Sequence, residues 1–268
     1  MPKNNFKKTA IRKRMLATGE SYSVAARSLA KLDWWDELGT VIGEDQFYER
    51  PELFLVAARP GIGRTTVAVN IADRLARAGK KVEMVSNEST LNEMAARLVS
   101  VRTGINLGDV MEGKPEYVER IAEAQKTLGD IYLSDNQGGS LRTLRERIQK
   151  NGMKGSILII DYLQLFVDDS IHNVQDSLSD AFAHIRGIQY DWGITVILLA
   201  QSNKLFDSER EGIHNLHSSA VENSDVVIML DRDNENNQIS LDVVKNKSGS
   251  THTLEATIPL LNNRPLAP

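Results

Sequence analysis

A glycine-rich stretch directly after an apolar run constrains the fold of this chain most strongly. Residues 58–66 are Ala-Arg-Pro-Gly-Ile-Gly-Arg-Thr-Thr, and they follow the apolar run Leu53–Ala57. The pattern predicts a strand, then a tight turn, and then a helix that begins near Thr65. Such a turn places successive backbone N–H groups at the positive end of a helix, where they can cradle phosphate. The sequence therefore predicts a phosphate-binding loop.

One residue of this loop departs from the usual pattern, which ends in Gly-Lys-Ser/Thr. Arg64 stands where the lysine is expected, and Thr65 supplies the hydroxyl that would hold Mg²⁺. Because guanidinium is planar and bulkier than ammonium, we expect backbone amides still to bind nucleotide while the contact with its β- and γ-phosphates is displaced. The residues predicted to bind nucleotide are Arg59, Pro60, Gly61, Ile62, Gly63, Arg64, Thr65 and Thr66.

The composition excludes several classes of protein. With 268 residues, 41% of them apolar, the chain can bury one large core or two small ones. The formal net charge of −4 gives no global signal for nucleic acid or membrane, and the absence of cysteine excludes disulfides and thiolate metal sites. No apolar run approaches the roughly 20 residues that span a bilayer, and no secretory signal is recognisable. We expect a soluble cytoplasmic protein with no membrane partner.

The pattern along the chain divides it into two parts. Residues 1–50 are interpreted as a basic, helical N-terminal arm and lead-in, and residues 51–268 as one α/β domain. The predicted strands are Leu53–Ala57, Val82–Ser86, Ile131–Leu133, Ser156–Ile160, Thr195–Ala200, Val226–Leu230, Ile239–Val244 and Thr253–Ile258. The predicted helices are Thr65–Ala78, Leu91–Thr103, Pro115–Leu128, Ser140–Lys150 and Asn173–Trp192. This alternation predicts a mostly parallel, twisted sheet with helices on both faces and an antiparallel hairpin at its C-terminal edge.

Three polar residues follow predicted strands. Glu88 comes after the second strand, Asp161 after the apolar run Ser156–Ile160, and Gln201 after the strand that comes next. Because ligands of open α/β sheets bind at the carboxyl ends of the strands, we expect these residues to gather around the phosphate loop. Glu88 is placed to orient an attacking water, Asp161 to support a metal ion, and Gln201 to sense a γ-phosphate.

A series of short motifs carries a family resemblance. In chain order they are Asn70-Ile71-Ala72, Ser86-Asn87-Glu88, Asp161-Tyr162-Leu163-Gln164-Leu165, Ala200-Gln201-Ser202-Asn203, Asp225-Val226-Val227 and Lys245-Asn246-Lys247-Ser248-Gly249. With the phosphate loop, they make the chain from Leu53 onwards resemble the C-terminal RecA-like motor of DnaB-type replicative helicases. The motif that begins at Asp161 is the most specific. The resemblance implies a RecA-like P-loop NTPase fold.

The resemblance also implies an activity and partners. The family's motors are ATP-driven, Mg²⁺-dependent hexameric rings that move on single-stranded DNA in replication, with sites between neighbouring subunits. Glu88 resembles the catalytic glutamate, Asp161 the Walker B aspartate and metal-site residue, and Gln201 the sensor. Lys245 and Lys247 resemble the lysine and arginine that reach the γ-phosphate of the adjacent subunit.

The chain departs from the family pattern at three further points. Lys247 stands where an arginine is expected, so that bidentate contact with the γ-phosphate is lost. Residues 215–223 fall where the family has a DNA-contact loop, but they contain neither arginine nor glycine. Since about 50 residues precede the motor, we do not expect the family's N-terminal collar domain. The amphipathic stretch Tyr22–Leu32 is a candidate for the linker helix that docks on the next subunit.

Two functional hypotheses remain open. The first is a working ATP-dependent helicase or translocase motor, which the retention of Glu88, Asp161 and Gln201 favours. The second is a RecA-fold relative with impaired hydrolysis that binds a replicative helicase ring or DNA as a regulator or loader. The changes at Arg64 and Lys247 favour the second. A recombinase-type or clock-type relative is disfavoured by the Asp-Tyr-Leu-Gln-Leu motif.

Overall fold

The structure is a computed structural model that describes most of the chain after residue 50. Described are residues 51–136, 139–163, 174–202, 218–233, 238–247, 249 and 251–254, with Arg12, Met15, Ser21, Tyr22, Leu38 and Gly39. The predicted N-terminal arm, and with it the candidate linker helix at Tyr22–Leu32, therefore lies almost wholly outside the described residues.

Eight strands of the described residues form one sheet. They are β1 Leu53–Ala58, β2 Val82–Ser86, β3 Ile131–Asp135, β4 Ile157–Asp161, β5 Thr195–Gln201, β6 Val226–Asp233, β7 Gln238–Asn246 and β8 His252–Leu254. Their order is β3-β2-β4-β5-β1-β6-β7-β8. The strands from β3 to β6 in this order are parallel, whereas β7 and β8 are antiparallel to their neighbours. The predicted mixed sheet with an antiparallel edge is confirmed.

The helices of the described residues agree with the prediction except in two connections. They are α1 Arg64–Arg77, α2 Leu91–Thr103, α3 Leu107–Glu112, α4 Val118–Lys126, α5 Leu141–Asn151, α6 Val174–Trp192 and α7 Ser218–Asn223. The single helix predicted from Pro115 divides into a 3₁₀ turn, Pro115–Tyr117, and α4. The short helices α3 and α7 were not predicted, because six residues give too little periodicity to recognise.

The continuous apolar runs of the central strands contribute side chains to two hydrophobic cores, one on each face of the sheet. In β1, Phe54 and Val56 pack on one face of the sheet with α1 and α2, while Leu53 and Leu55 pack on the other face with α5 and α6. Successive side chains of a strand point to opposite faces, so a strand buried on both sides needs an apolar residue at every position. The predicted helices on both faces are thereby confirmed.

The order of the strands decides where polar side chains meet. Strands β2, β4, β5 and β1 are adjacent and parallel, so their carboxyl ends lie along one edge of the sheet. In register, Ser86 pairs with Asp161 and Ala58 pairs with Gln201. The residues that follow these four strands are therefore neighbours in space although they are far apart in sequence.

Candidate active site

The phosphate loop joins β1 to α1 with two glycines in the left-handed region. Gly61 has φ 80°, and Gly63, the N-cap residue of α1, has φ 113°. Glycine adopts such angles without the steric cost that a Cβ brings. Gly63 has no side chain with which to cap the first turn. The N–H groups that an α-helix leaves unbonded at its start therefore face the loop, where an anion would satisfy them.

Thr65 and Asp161 meet at the foot of this loop. The Thr65 hydroxyl donates a hydrogen bond of 2.9 Å to Asp161 Oδ2. Asp161 is fully buried, and its Oδ1 has no hydrogen-bond partner among the described residues. Burial raises the pKa of Asp161 to about 6, and the charge of Glu88 adds to the rise, while the bond from Thr65 and the charges of Arg64 and Arg97 oppose it.

This pair fits a magnesium ion. A hydroxyl beside a buried carboxylate with one oxygen unpaired offers the hard oxygen ligands that Mg²⁺ prefers. The described residues contain no cluster of three or more His, Asp or Glu side chains that could hold a metal. In nucleotide sites, Mg²⁺ is commonly held by one or two protein ligands together with phosphates and water.

Arg64 lies buried beside the same carboxylate. Its residue is 9% exposed, and its guanidinium carbon lies 4.5 Å from the centroid of the Tyr162 ring. Nη1 of Arg64 is buried without a hydrogen-bond partner in the described part of the chain. Burial lowers the pKa of Arg64, and the charges of Asp161 and Glu88 act against that fall. The cation that replaces the usual lysine is thus packed on an aromatic face next to the loop.

Glu88 lies in the turn after β2. The Ser86 hydroxyl accepts hydrogen bonds from the backbone N–H groups of Glu88, at 3.1 Å, and Ser89, at 2.9 Å. The N–H of Asn87 donates to the Asp161 carbonyl at 3.0 Å, which ties this turn to the end of β4. Glu88 is exposed, and its charge acts on both Arg64 and Asp161. The turn thus holds an accessible carboxylate near the loop, although its catalytic role stays a prediction.

Gln201 and Arg59 flank the start of the loop. Gln201 ends β5 opposite Ala58, and the N–H of Ser202 donates to the Ala58 carbonyl at 3.0 Å. Arg59 is exposed and forms an ion pair of 3.3 Å with Asp231 near the end of β6. Gln201 thus lies beside the loop, and its role as a sensor remains a prediction.

The remaining loop residues divide between solvent and core. Pro60 is exposed and Ile62 is partly buried against the hydrophobic core. Thr66 is buried in the first turn of α1, where its carbonyl accepts a hydrogen bond of 2.8 Å from Asn70 Nδ2. The side chain of Asn70 thus forms a hydrogen bond with the first turn of α1.

Lys245 and Lys247 lie near the amino ends of the parallel strands, at the other end of these strands from the phosphate loop. Lys245 pairs with Val227 at the start of β6, far from the carboxyl ends of the parallel strands. Its Nζ donates to the carbonyl of Val221 at 2.6 Å, at the C-terminal end of α7. Lys247 Nζ donates to Asp225 Oδ1 at 2.7 Å. The two lysines therefore do not join the phosphate loop of their own chain, and their role toward a neighbouring subunit stays a prediction.

Two residues of the site were missed from the sequence. Tyr162 enters the sequence argument only as part of a motif, yet its ring contacts Arg64. Arg97, in the middle of α2, is half-buried, its Nε has no hydrogen-bond partner in the described ranges, and its charge lowers the pKa of Asp161. A search confined to strand ends cannot find a helical arginine. Its place in the helix that follows the Glu88 turn is the signal that could have found it.

Some of the predicted motif residues cannot be placed. Gln164, Leu165, Asn203 and Ser248 lie outside the described residues, as do residues 215–217 of the proposed DNA-contact segment. The rest of that segment, from Ser218, forms α7. No helix in the described ranges combines the length and apolarity needed to cross a membrane.

A parallel sheet with a glycine loop after β1 and a buried aspartate at the end of the nearby β4 defines the class of P-loop nucleotide-binding proteins. Residues 46–259 match the family described as "DnaB-like helicase C terminal domain". Since the match spans most of the chain, this protein belongs to that family, and the resemblance stated from the motifs is confirmed.

Named relatives agree with the family. The chain is 27% identical over 227 residues to the "Probable plasmid replicative DNA helicase" of Chlamydia muridarum (strain MoPn / Nigg), covering 80% of this chain and 49% of that protein. It is 25% identical over 229 residues to "Replicative DNA helicase DnaB" of Geobacillus stearothermophilus, covering 78% of this chain and 50% of that protein. The chain therefore spans about half the length of these curated relatives.

Solved structures confirm the fold. "The Structure Of A DnaB-Like Replicative Helicase And Its Interactions With Primase" superposes with a TM-score of 0.72 at 20% identity, covering 82% of this chain and 57% of that one. A second solved structure, described as an "ATPase Domain", gives the same TM-score and identity over 82% of this chain and 84% of that one. The predicted RecA-like fold is thus confirmed.

Proposed function

We propose that this chain is the ATP-dependent motor domain of a DNA helicase or translocase that acts in DNA replication. The observation that carries the proposal is the hydrogen bond between Thr65 and Asp161, which lies beside the glycine loop at the start of α1. Membership of the DnaB-like family supports the same conclusion. Replicative DNA helicase is the printed name of the relatives, and its extension to this chain is our inference.

The glycine loop binds the nucleotide together with Thr65 and Asp161. Backbone N–H groups at the start of α1 donate to the phosphates of ATP, and the Arg64 guanidinium contributes a positive charge beside them. Thr65 and the unpaired oxygen of Asp161 are the residues that would hold Mg²⁺. Held there, Mg²⁺ would supply a positive charge that offsets the negative charge developing on the phosphates during hydrolysis.

The exposed carboxylate of Glu88, after the carboxyl end of β2, is assigned to hydrolysis. Glu88 orients a water molecule and accepts its proton on a carboxylate oxygen, which is the work of a general base. The amide of Gln201, beside the first residue of the loop, is suited to hydrogen-bond the terminal phosphate. Arg97 adds a further cation near Asp161. Glu88 follows β2, Gln201 ends β5, and the charge of Arg97 acts on Asp161 at the end of β4.

Oligomerisation completes the proposed site. Lys245 and Lys247 are at the edge of the sheet away from the phosphate loop, so each lysine would serve the site of a neighbouring subunit. We infer a ring, hexameric as in the family, with single-stranded DNA as the polymer on which it moves.

A second function has its own support. Arg64 is packed on Tyr162, and Lys247 is paired with Asp225 in its own chain. A motor whose two basic groups are held in this way would hydrolyse ATP slowly. Such a chain would serve as a regulator or loader that binds a replicative helicase or DNA.

One experiment separates the two functions. ATP turnover is measured with and without single-stranded DNA, and the mass in solution is measured by light scattering on the same sample. The motor proposal expects turnover that DNA stimulates and a mass of about six subunits. Turnover that stays at the background of a Glu88→Gln variant, with nucleotide still bound, would overturn the motor and favour the regulator.

A further inference from the structure

Near the phosphate loop, two buried polar atoms on groups of opposite charge have no hydrogen-bond partner among the described residues. Nη1 of Arg64 and Oδ1 of Asp161 are both buried without a hydrogen bond in the described part of the chain. The charges of the two groups act on each other, and yet no ion pair joins these two described residues. Because an unpaired buried charge is costly, the contacts that the guanidinium does make are important for where it lies.

The Tyr162 ring makes one such contact with the guanidinium. It stands directly after Asp161, and the Arg64 guanidinium carbon lies 4.5 Å from its centroid. That distance is well inside the roughly 6 Å over which an aromatic face attracts a cation. The ring is partly buried against the hydrophobic core, so its own position is fixed by packing. An aromatic face leaves the in-plane N–H groups of guanidinium unused, so that they remain available to a ligand.

We infer that Tyr162 is a positioning residue for nucleotide binding: its ring holds Arg64 so that Nη1 can bind a phosphate oxygen while Asp161 Oδ1 stays open for the metal. This inference rests on the proposed nucleotide site. It explains how the chain uses arginine at a position where lysine is usual. Lysine reaches phosphate as a flexible point charge, whereas the bulkier guanidinium needs a fixed orientation.

The test measures the dissociation constant of Mg²⁺·ADP by calorimetry in a double-mutant cycle of Arg64→Lys and Tyr162→Leu. In the Arg64 background we expect Tyr162→Leu to weaken binding about fivefold, and Tyr162→Phe, which keeps the aromatic face, to change it less than about twofold. In the Arg64→Lys background, Tyr162→Leu should change binding less than about twofold.

The chain offers a matched control. The Tyr117 ring also faces an arginine, with the Arg120 guanidinium carbon 5.9 Å from its centroid, in the 3₁₀ turn before α4. Tyr117→Leu should leave the dissociation constant of ADP unchanged. The unfolding midpoint of every variant is measured without nucleotide. If Tyr162→Leu does not fold, Tyr162→Met, which fills a similar volume without a π face, takes its place.

The outcomes distinguish this inference from the proposed function. Equal weakening in the two backgrounds would show that Tyr162 acts only through packing, and no weakening in either would show that it has no role. Both results overturn the inference while leaving the nucleotide site intact. If the unaltered chain binds no Mg²⁺·ADP, the proposed function and the inference are both wrong.

Discussion

At the scale of single residues, the properties of the site arise from where polar side chains interrupt apolar strands. Asp161 ends a fully buried strand, and burial is the largest reason that its pKa rises to about 6. The side chain keeps one oxygen without a partner among the described residues. Natural proteins tolerate such a cost at functional sites more than elsewhere. The Thr65 hydroxyl, which is bonded to Asp161, and the exposed Glu88 carboxylate lie at the same edge of the sheet.

Glu88→Gln tests the assignment of the general base. Because the amide cannot accept the proton of water, we expect ATP turnover to fall by a factor of about 10² or more. The affinity for Mg²⁺·ADP should change less than about twofold, since Glu88 does not belong to the loop. Steady-state turnover and calorimetric binding check the two halves separately. Turnover equal to that of the unaltered chain would remove Glu88 from the mechanism.

Thr65→Val tests the metal site. The variant keeps the shape of threonine but removes the hydroxyl that bonds Asp161, so we expect Mg²⁺·ADP to bind about tenfold more weakly. Binding of ADP in the presence of a chelator should hardly change. The conservative variant Thr65→Ser keeps the hydroxyl and serves as the control. If Ser and Val weaken binding alike, the hydroxyl is not a ligand.

At the scale of elements, a polar cluster around Asp225 joins three parts of the fold. The carboxylate accepts hydrogen bonds from the N–H of Leu53 in β1, from Arg186 in α6 and from Lys247 after β7. Burial would raise the pKa of Asp225, but the bonds from these groups outweigh it and lower the pKa to about 2. The cluster therefore fixes the end of β7, the segment of the two lysines proposed to act on a neighbour.

Asp225→Asn should destabilise the fold in a pH-dependent manner. Because the folded-state pKa is lower than the ordinary value near 3.9, the charge of Asp225 stabilises the fold above about pH 4, and this stabilisation is lost as the pH falls towards about 2. At about pH 7 we expect a loss of about 2 kcal/mol in the free energy of unfolding. The difference from the unaltered chain should shrink below about pH 4.

Denaturant unfolding at about pH 7 and about pH 3 checks this prediction. Glu123→Gln is a control, because it removes a carboxylate from an exposed ion pair with Lys126 and should cost less than about 1 kcal/mol at either pH. A cost for Asp225→Asn that is the same at both pH values would contradict the role given to its charge.

At the scale of the whole molecule, the fold separates the phosphate loop, with its Arg64, from the two lysines Lys245 and Lys247. The phosphate loop is at the carboxyl edge of the parallel strands, whereas Lys245 and Lys247 are at the opposite edge. A subunit with this arrangement would present the proposed nucleotide site on one side and a pair of lysines on another. Such an arrangement suits heterologous, head-to-tail contacts, which close into rings when the rotation permits.

Lys247→Arg tests the proposed contact between subunits. Guanidinium can grip a γ-phosphate with two parallel hydrogen bonds, so we expect ATP turnover to rise about tenfold in the assembled protein. The gain should vanish at concentrations at which light scattering finds monomers. Lys126→Arg, on the exposed face of α4, should change nothing. A gain that persists in monomers would place the action of Lys247 within its own chain.

Much of the fold and of the site could be predicted from the sequence, because strands buried on both faces give continuous apolar runs and their ends give the site. The parts that were missed depend on contacts over long sequence separation. Arg97 resembles any half-exposed helical arginine until the fold brings α2 beside Asp161. The Arg64–Tyr162 contact likewise joins the start of α1 to the residue after β4, and these are far apart in the sequence.

A crystal structure with a non-hydrolysable ATP analogue, and with Mn²⁺ in place of Mg²⁺, would show directly whether nucleotide and metal bind at the phosphate loop. We expect an anomalous Mn²⁺ peak beside the Thr65 hydroxyl and the Asp161 carboxylate, with phosphate oxygens on the N–H groups at the start of α1 and Glu88 facing the terminal phosphate. Nucleotide bound elsewhere, or a metal peak away from Thr65 and Asp161, would contradict the proposed site.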